Sequence, residues 1–402
     1  MNKILLSALM CIATSASALA QSIYLCKNGD YTKQDITEGL DIDLTQGYDS
    51  ITFAVPQMEK AVKITYNGAT ASVIIPSFIT GVTCTSGTSA DVVIASTNIT
   101  DEITYMVSGK SDNGSLTISG DYKLTVDLDN VSLTSAKGGA VDIQCGKRIN
   151  IALHGNNTFA DAAGGTQKAC FYTKGHIEFS QDGNISVSGN AAHAIAAKEY
   201  IEVKNKIGSI NIVKAAKDAI HCGQYFDMKG GTINIDKNTM NDGIQTDIIY
   251  LEDGMTVDSE KEYNGQAFFR GGNVNITLAG EEDSKGIKVD GDITISGGTM
   301  NINANSNGSR GIQTDGNIVI SEETAPTSIT INAAGGKCTL AEDADDPHKC
   351  MGIKADGNVT INAGTITVYN TGSKSKGIKA GGLYVKNGGT VTASVEDTTG
   401  KK

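Results

Sequence analysis

Tryptophan is absent from the 402 residues, and aromatic residues make up only 5% of them. That absence removes the flat indole platform on which a crystalline glucan would stack. Positive charge is also short, with 33 Lys and Arg against 45 Asp and Glu, a formal charge of −12. Such a balance argues against nucleic acid or an anionic bilayer as partner. A polyanionic ligand would need a bridging cation or a local basic column. Beyond the first 20 residues no apolar run approaches the roughly 18 residues of a membrane span, so no membrane insertion is expected. The 5 histidines (His154, His176, His193, His221 and His348) lack zinc-ligand spacing such as HExxH. They read as surface residues, although His193 and His221 stand where a ligand can touch them.

The chain opens Met1-Asn2-Lys3 and continues apolar and small from Ile4 to Ala20, ending in the small-x-small string Ala18-Leu19-Ala20. Residues 1–20 therefore read as a secretory signal peptide, with a secreted, cell-surface or periplasmic location expected. Met10 before Cys11 is a poor fit to lipid-anchor cleavage. Of the 8 cysteines all but Cys11 lie beyond this leader, an odd number in a chain too long for a disulfide scaffold. Cys338 with Cys350 is the best-spaced pair, and Cys26 with Cys84 a second option. Cys170 and Cys222 fall at apolar positions and read as buried thiols.

What is abundant is glycine, 47 residues of it, with much Thr, Ile, Val and Asn, the composition of an all-β chain rich in tight turns. The string Lys285-Gly-Ile-Lys-Val-Asp-Gly291 returns as Arg310-Gly-Ile-Gln-Thr-Asp-Gly316, Met351-Gly-Ile-Lys-Ala-Asp-Gly357 and Lys376-Gly-Ile-Lys-Ala-Gly-Gly382. The glycines at 286, 311, 352 and 377 are 25, 41 and 25 residues apart, the middle interval being a 25 that carries an insertion. Weaker copies align on Ala140, Ala169, Ala194, Ala219 and Gly243. A fixed period near 25 is the signature of a solenoid, and a small residue in every copy marks a tight corner.

A second strand follows in several copies, as in Gly231-Thr-Ile-Asn-Ile235 and Gly364-Thr-Ile-Thr-Val368, with the alternation of a half-buried strand. Short strands at this spacing predict a parallel β-helix over residues 101–402. A helical repeat would need a 3.6-residue period and fewer Gly and Thr. Residues 21–100 lack the repeat, carry runs such as Ala61-Val-Lys-Ile-Thr65 and an Asn67-Gly68 turn, and read as a small β-rich N-terminal region. Insertions into the repeat are expected at about 252–266 and 321–350.

Within each copy the Ile and the residue two further on point inward, and the residues between and after them point outward. One outward column then holds Gln245, Lys288, Gln313, Lys354 and Lys379, of which Lys288, Gln313, Lys354 and Lys379 are the candidate carbohydrate contacts. Its neighbour holds Asp247, Asp290, Asp315 and Asp356 and ends at Gly381. Carboxylates stacked about 4.8 Å apart repel unless positive charge is near. Two readings stay open: a solvated ladder balanced by Lys288, Lys354 and the corner residues Lys285, Arg310 and Lys376, or bound Ca2+, which favours hard oxygen ligands. The acidic loop Glu342, Asp343, Asp345 and Asp346 has the same two readings. Asn211, Asn234, Asn301 and Asn332 alternate with apolar residues and are expected to form a hydrogen-bonded ladder.

The copies His193-Ala-Ile, Asp218-Ala-Ile-His, Asp242-Gly-Ile-Gln-Thr-Asp, Lys285-Gly-Ile-Lys and Arg310-Gly-Ile-Gln-Thr-Asp-Gly resemble the secreted carbohydrate-binding β-helix proteins of cellulolytic clostridia and gut Bacteroidetes, over roughly residues 100–395. The resemblance implies a right-handed parallel β-helix of the polysaccharide-lyase kind, bound Ca2+, and binding of plant polysaccharides, acidic pectic chains included. By that resemblance the chain is a calcium-dependent, non-catalytic carbohydrate-binding protein. Candidate calcium ligands are Asp218, Asp242, Asp247, Asp290, Asp315 and Asp356. One alternative is a polysaccharide lyase or inverting hydrolase acting on uronate chains, with Arg310 or Lys288 beside Asp290 and Asp315 drafted into the chemistry. Another is a structural or adhesive surface rod. The same charged pattern recurs over several rungs, which favours an extended face over one irregular catalytic constellation.

Overall fold

The computed structural model describes residues 22–27, 30–35, 42–52, 60–278, 282–323, 325–340, 347–372 and 375–397. The expected leader at residues 1–20 and the acidic stretch from Glu342 to Asp346 lie outside them. Short runs of β-branched residues punctuated by Gly and Asn favour strands closed by tight turns, and the chain winds accordingly. One full turn runs Lys285–Val289, then Ile293–Ile295, then Gly298–Ala304, and arrives at Arg310–Thr314 one rung on. Like strands of successive turns pair in parallel and build three faces. The first face is a 13-stranded sheet that contains every motif copy. The second runs from Arg148–His154 to Tyr384–Lys386, and the third from Asn156–Ala160 to Thr390–Thr392. The fold is the expected all-β parallel β-helix.

Register follows from which residues fill the interior. Ile195, Ile220, Ile244, Ile287, Ile312, Ile353 and Ile378 pair rung on rung. None is more than 1% exposed, and burying each side chain contributes about 1.5–3 kcal/mol. One copy departs from its sequence alignment. Ala169 pairs with His193 and Phe171 with Ile195, so Cys170 fills the small-residue slot expected for Ala169. Phe171 therefore turns inward, where it meets Phe159 edge-on at 5.5 Å and Phe179 at 6.4 Å. Tyr172 takes the outward place instead. An aromatic ring gains more from the core than from solvent, and that gain sets the one-residue shift.

The parallel stack begins before the motif does. Ala61–Asn67 pairs in parallel with Ile103–Ser111, and Asp91–Ser96 with Ser115–Ser119. Two antiparallel strands, Thr70–Ile74 across the Asn67-Gly68 turn and Val82–Cys84, then cover these open edges. Ser22–Lys27, Asp30–Asp35 and Ser50–Thr52 form a separate small sheet around Ile23, Leu25 and Ile42.

The insertions sit between faces. Residues 247–265 leave the first face and return on the second. Asn264 pins them by bonding both the N–H and the carbonyl of Ile249 at 2.8 Å, and Lys261 reaches Glu199 at 2.6 Å. Residues 334–350 carry the antiparallel pair Lys337–Cys338 and His348–Lys349. Neither expected disulfide is present, because Cys26, Cys84, Cys338 and Cys350 are all free thiols. Cys350 Sγ faces the Ala304 carbonyl at 3.6 Å, whereas Cys338 stands beside Asp283 and His348. Cys170 and Cys222 are buried thiols, as their positions imply. The asparagine ladder forms as Asn234 to Asn211 at 2.8 Å, Asn275 to Asn234 at 2.9 Å and Asn301 to Asn275 at 3.0 Å. Asn332 is not part of it; it bonds Asn303 at 2.6 Å, two residues further along the strands.

Two stability predictions follow from this packing. A Cβ added at Gly311 would lie 2.5 Å from Ile331 and 2.6 Å from the Gly352 carbonyl, whereas one at Gly138 meets nothing within 4 Å. Gly311→Ala is expected to cost about 1–3 kcal/mol in urea unfolding, with Gly138→Ala near neutral. The second concerns Glu199. The His176 hydrogen bond lowers its pKa to about 2, with burial opposing and Lys261 assisting. A depressed carboxyl stabilises the fold above its ordinary value of 4.5 and loses that contribution as pH falls toward 2. Glu199→Gln should therefore cost on the order of 2 kcal/mol at pH 7, and the cost should shrink below pH 4. An equal cost at both pH values would remove the charge explanation.

Candidate functional site

On the first face, the outward column of Gln245 and Lys288 continues toward the N-terminus through His221, Ala196, Tyr172 and Asp142. Over this part the surface is concave. Thr166, Gln167, Lys168 and Lys217, from turns preceding the motif strands, face Lys198 and Gly223, which follow them, across a groove of about 330 Å³. An adjoining space of about 300 Å³ shares Thr166, Gln167, Lys168 and Tyr172 and extends to Asp142 and Gln144. Lys168 crosses the Tyr172 ring with its ammonium 5.2 Å from the centroid. Lys168, Lys198 and Lys217 are all exposed. A chain of charge −12 thus gathers three lysines around one trough.

His193 and His221 line the same groove, and Asp218 lies buried behind them at 2% exposure. Asp218 Oδ2 is 3.1 Å from His193 Nδ1 and 3.1 Å from His221 Nδ1. Its Oδ1 accepts from Asn241 Nδ2 at 2.6 Å and from the Asp242 N–H at 3.1 Å. His221 Nε2 in turn lies 3.2 Å from Asp247 Oδ2. Burial would raise the Asp218 carboxyl, but the two imidazoles outweigh it and hold the group well below the usual carboxylate range. Burial likewise opposes a charged His221, yet Asp218 and Asp247 together raise it to about 9. Asp242 behaves oppositely, pushed up to about 6 by burial, with Lys285 opposing and Asp218 adding to the rise.

The candidate carbohydrate contacts Lys288, Gln313, Lys354 and Lys379 do stack in register. Their surroundings differ. Gln313 is buried at 9% exposure and accepts from Arg310. Lys354 pairs with Asp356 at 2.8 Å, and Lys288 lies 4.0 Å from Asp242. The aspartates also stack, with the N–H of Asp290, Asp315 and Asp356 bonded to Thr246, Val289 and Thr314 of the preceding rungs. The Asp290 carboxyl is pushed up by burial, with Asp247 and Asp315 adding to the rise against the Ile248 N–H and Lys288.

These donors differ in how well they suit calcium. Among the described residues, metal-type donors converge to within 4.8 Å in two groups, His193–Asp218–His221 and Asp283–Cys338–His348. Neither is a cage of oxygens. Asp218 is flanked by nitrogen donors, and Asp242 Oδ1 is taken by the Lys285 N–H at 2.7 Å; neither environment suits Ca2+. Asp247 is likewise taken, by His221 Nε2 at 3.2 Å and by the Gln245 amide at 2.6 Å, which leaves Asp290 and Asp315 with the hard-oxygen character it favours. Sequence reasoning treated the histidines as isolated and passed over the groove lysines. The signal was available in the repeat: Asp218 follows His193 by one 25-residue period, and His221 lies on the same strand as the Asp218 corner.

The family description "Carbohydrate-binding domain-containing protein" matches residues 95–399. The chain belongs to that family. The groove and both outward columns of this carbohydrate-binding domain fall inside the matched segment. Among solved structures, a polysaccharide lyase-like protein from C. thermocellum, solved as a gadolinium derivative, is similar at 19% identity with a TM-score of 0.51. The likeness covers 66% of this chain and 98% of that one, and it is a likeness of fold. No curated protein matches.

In metal-free protein, the His221 ring protons are expected to titrate near pH 9 by NMR. Asp247→Asn should lower that midpoint by about one unit; an unchanged midpoint would dismiss Asp247 as a partner.

Proposed function

We propose that this carbohydrate-binding protein is a secreted, non-catalytic binder of acidic, plant-type polysaccharide that takes a uronate chain along the first face. The observation that carries this reading is the groove bordered by Lys168, Lys198 and Lys217 on an otherwise acidic molecule. Its size falls in the range of small-ligand sites. Exposed lysines supply mobile point charges suited to carboxylates presented at intervals along a chain, and Tyr172 lines the trough beneath Lys168. A non-catalytic role is supported by Arg310, the residue best suited to lyase chemistry by type. It is 6% exposed and engaged with Gln313, out of reach of a sugar ring.

Calcium enters this reading at the aspartate ladder. Burial and the neighbouring Asp247 and Asp315 raise the cost of ionising Asp290, and a divalent cation there would relieve it. When bound, such an ion supplies positive charge that can stabilise the rungs and bridge to a uronate carboxylate.

The test is isothermal titration with polygalacturonate, fully methyl-esterified pectin and a neutral glucan, at low and high salt. Polygalacturonate alone is expected to bind, more weakly at high salt, and Lys168→Ala/Lys198→Ala/Lys217→Ala should weaken it at least tenfold. Retention in EDTA would assign binding to the lysine groove. Loss in EDTA, with the triple variant unaffected, would move the polysaccharide to the aspartate ladder. Equal binding of the neutral glucan, or appearance of unsaturated product, would overturn the reading.

A further inference from the structure

We propose that His193, Asp218 and His221 form a binding site for a borderline divalent transition-metal ion, with Zn2+ the best fit, at the floor of the first-face groove. The argument rests on this cluster's own geometry and not on the polysaccharide reading. Zinc held at about 2.0–2.2 Å by nitrogen and carboxylate ligands in a tetrahedron sets neighbouring ligand atoms about 3.3 Å apart. Asp218 Oδ2 lies 3.1 Å from each imidazole Nδ1, and all three atoms fall within 4.8 Å of one another.

Hydrogen bonding alone leaves this arrangement incomplete. His193 Nδ1 is buried and makes no aligned hydrogen bond, despite its closeness to Asp218. An ion between the three atoms would satisfy it. The outer partners of a metal site are already in place: ligating histidines usually donate their second N–H to a carboxylate, and ligating carboxylates are themselves hydrogen-bonded. His221 Nε2 has Asp247 at 3.2 Å, and the second oxygen of Asp218 is held by Asn241 and the Asp242 N–H. Both histidines also line the groove, so a fourth position faces solvent or ligand. Two nitrogens and one oxygen select against Ca2+ and Mg2+, which prefer oxygen.

The other convergent group, Asp283–Cys338–His348, is a poorer candidate. Lys285 sits 2.6 Å from Asp283, and Arg310 4.0 Å, so protein cations already occupy its field.

The experiment uses the tag-free full chain, stripped with EDTA and dialysed, and titrated with ZnCl2 by calorimetry. One equivalent is expected to bind, unaffected by excess Ca2+. Titration with Co2+ should give the intense visible bands of a four-coordinate site. His193→Gln and His221→Gln should each weaken Zn2+ at least tenfold while far-UV circular dichroism keeps its β signature. Asp218→Asn keeps the shape of the buried side chain and the oxygen that accepts from Asn241 and the Asp242 N–H, but removes the ligand carboxylate. It is expected to weaken binding at least tenfold, which keeps the test decisive if a histidine variant misfolds. Absence of stoichiometric Zn2+ uptake by the wild-type chain overturns the site. Uptake that survives both histidine substitutions, or that Asp218→Asn leaves unchanged, does so as well.

Discussion

The interior column of β-branched side chains, stacked one per rung on each face, is the constraint on which the rest depends. Parallel backbone hydrogen bonds fix the spacing between rungs, but they would tolerate a slip of the chain along its neighbour. What forbids the slip is that Ile244, Ile287 and Ile312 have nowhere to go except on top of one another. A one-residue error would carry each of them to solvent and bring Lys288 or Gln313 inside. The glycine before each isoleucine belongs to the same constraint. At Gly286 and Gly311 the next rung's backbone comes too near to admit a side chain.

Once the interior is fixed, the outside is free to vary, and it varies along the rod. Toward the C-terminal end the outward column alternates lysine with glutamine beside a ladder of aspartates. There the charges largely answer one another, as Lys354 answers Asp356. Toward the N-terminal end the same column passes through His221, Ala196 and Tyr172. The small Ala196 side chain leaves room between larger neighbours, and lysines from adjoining turns stand around the space. A uniform scaffold thereby carries a local, irregular chemistry without any change in its winding.

The polar ladders show how the fold satisfies groups that a stacked architecture forces together. Amides can donate to the rung before and accept from the rung after, so Asn211, Asn234, Asn275 and Asn301 form a chain with little cost. Carboxylates cannot do this, since they only accept. Asp290 instead takes the Ile248 N–H at 3.1 Å, and Asp218 collects an amide, a backbone N–H and the His221 imidazole.

The sequence by itself determined the solenoid, its period, and the direction in which most motif residues face, because a 25-residue phase and a period of two are both written in the order of residues. It also determined which aspartates and lysines share a column. It did not determine the register of the copy at Lys168, where packing of Phe171 against Phe159 and Phe179 outweighed the small-residue alignment. Nor did it show that the parallel stack already begins at Ala61, since those early strands pair without carrying the motif. Only the tertiary structure decided the pairing state of Cys338 and Cys350, the burial of Gln313, and the convergence of His193, Asp218 and His221. Each depends on distances across rungs and corners, and a linear pattern records the order of residues but not how closely the turns between strands bring them together.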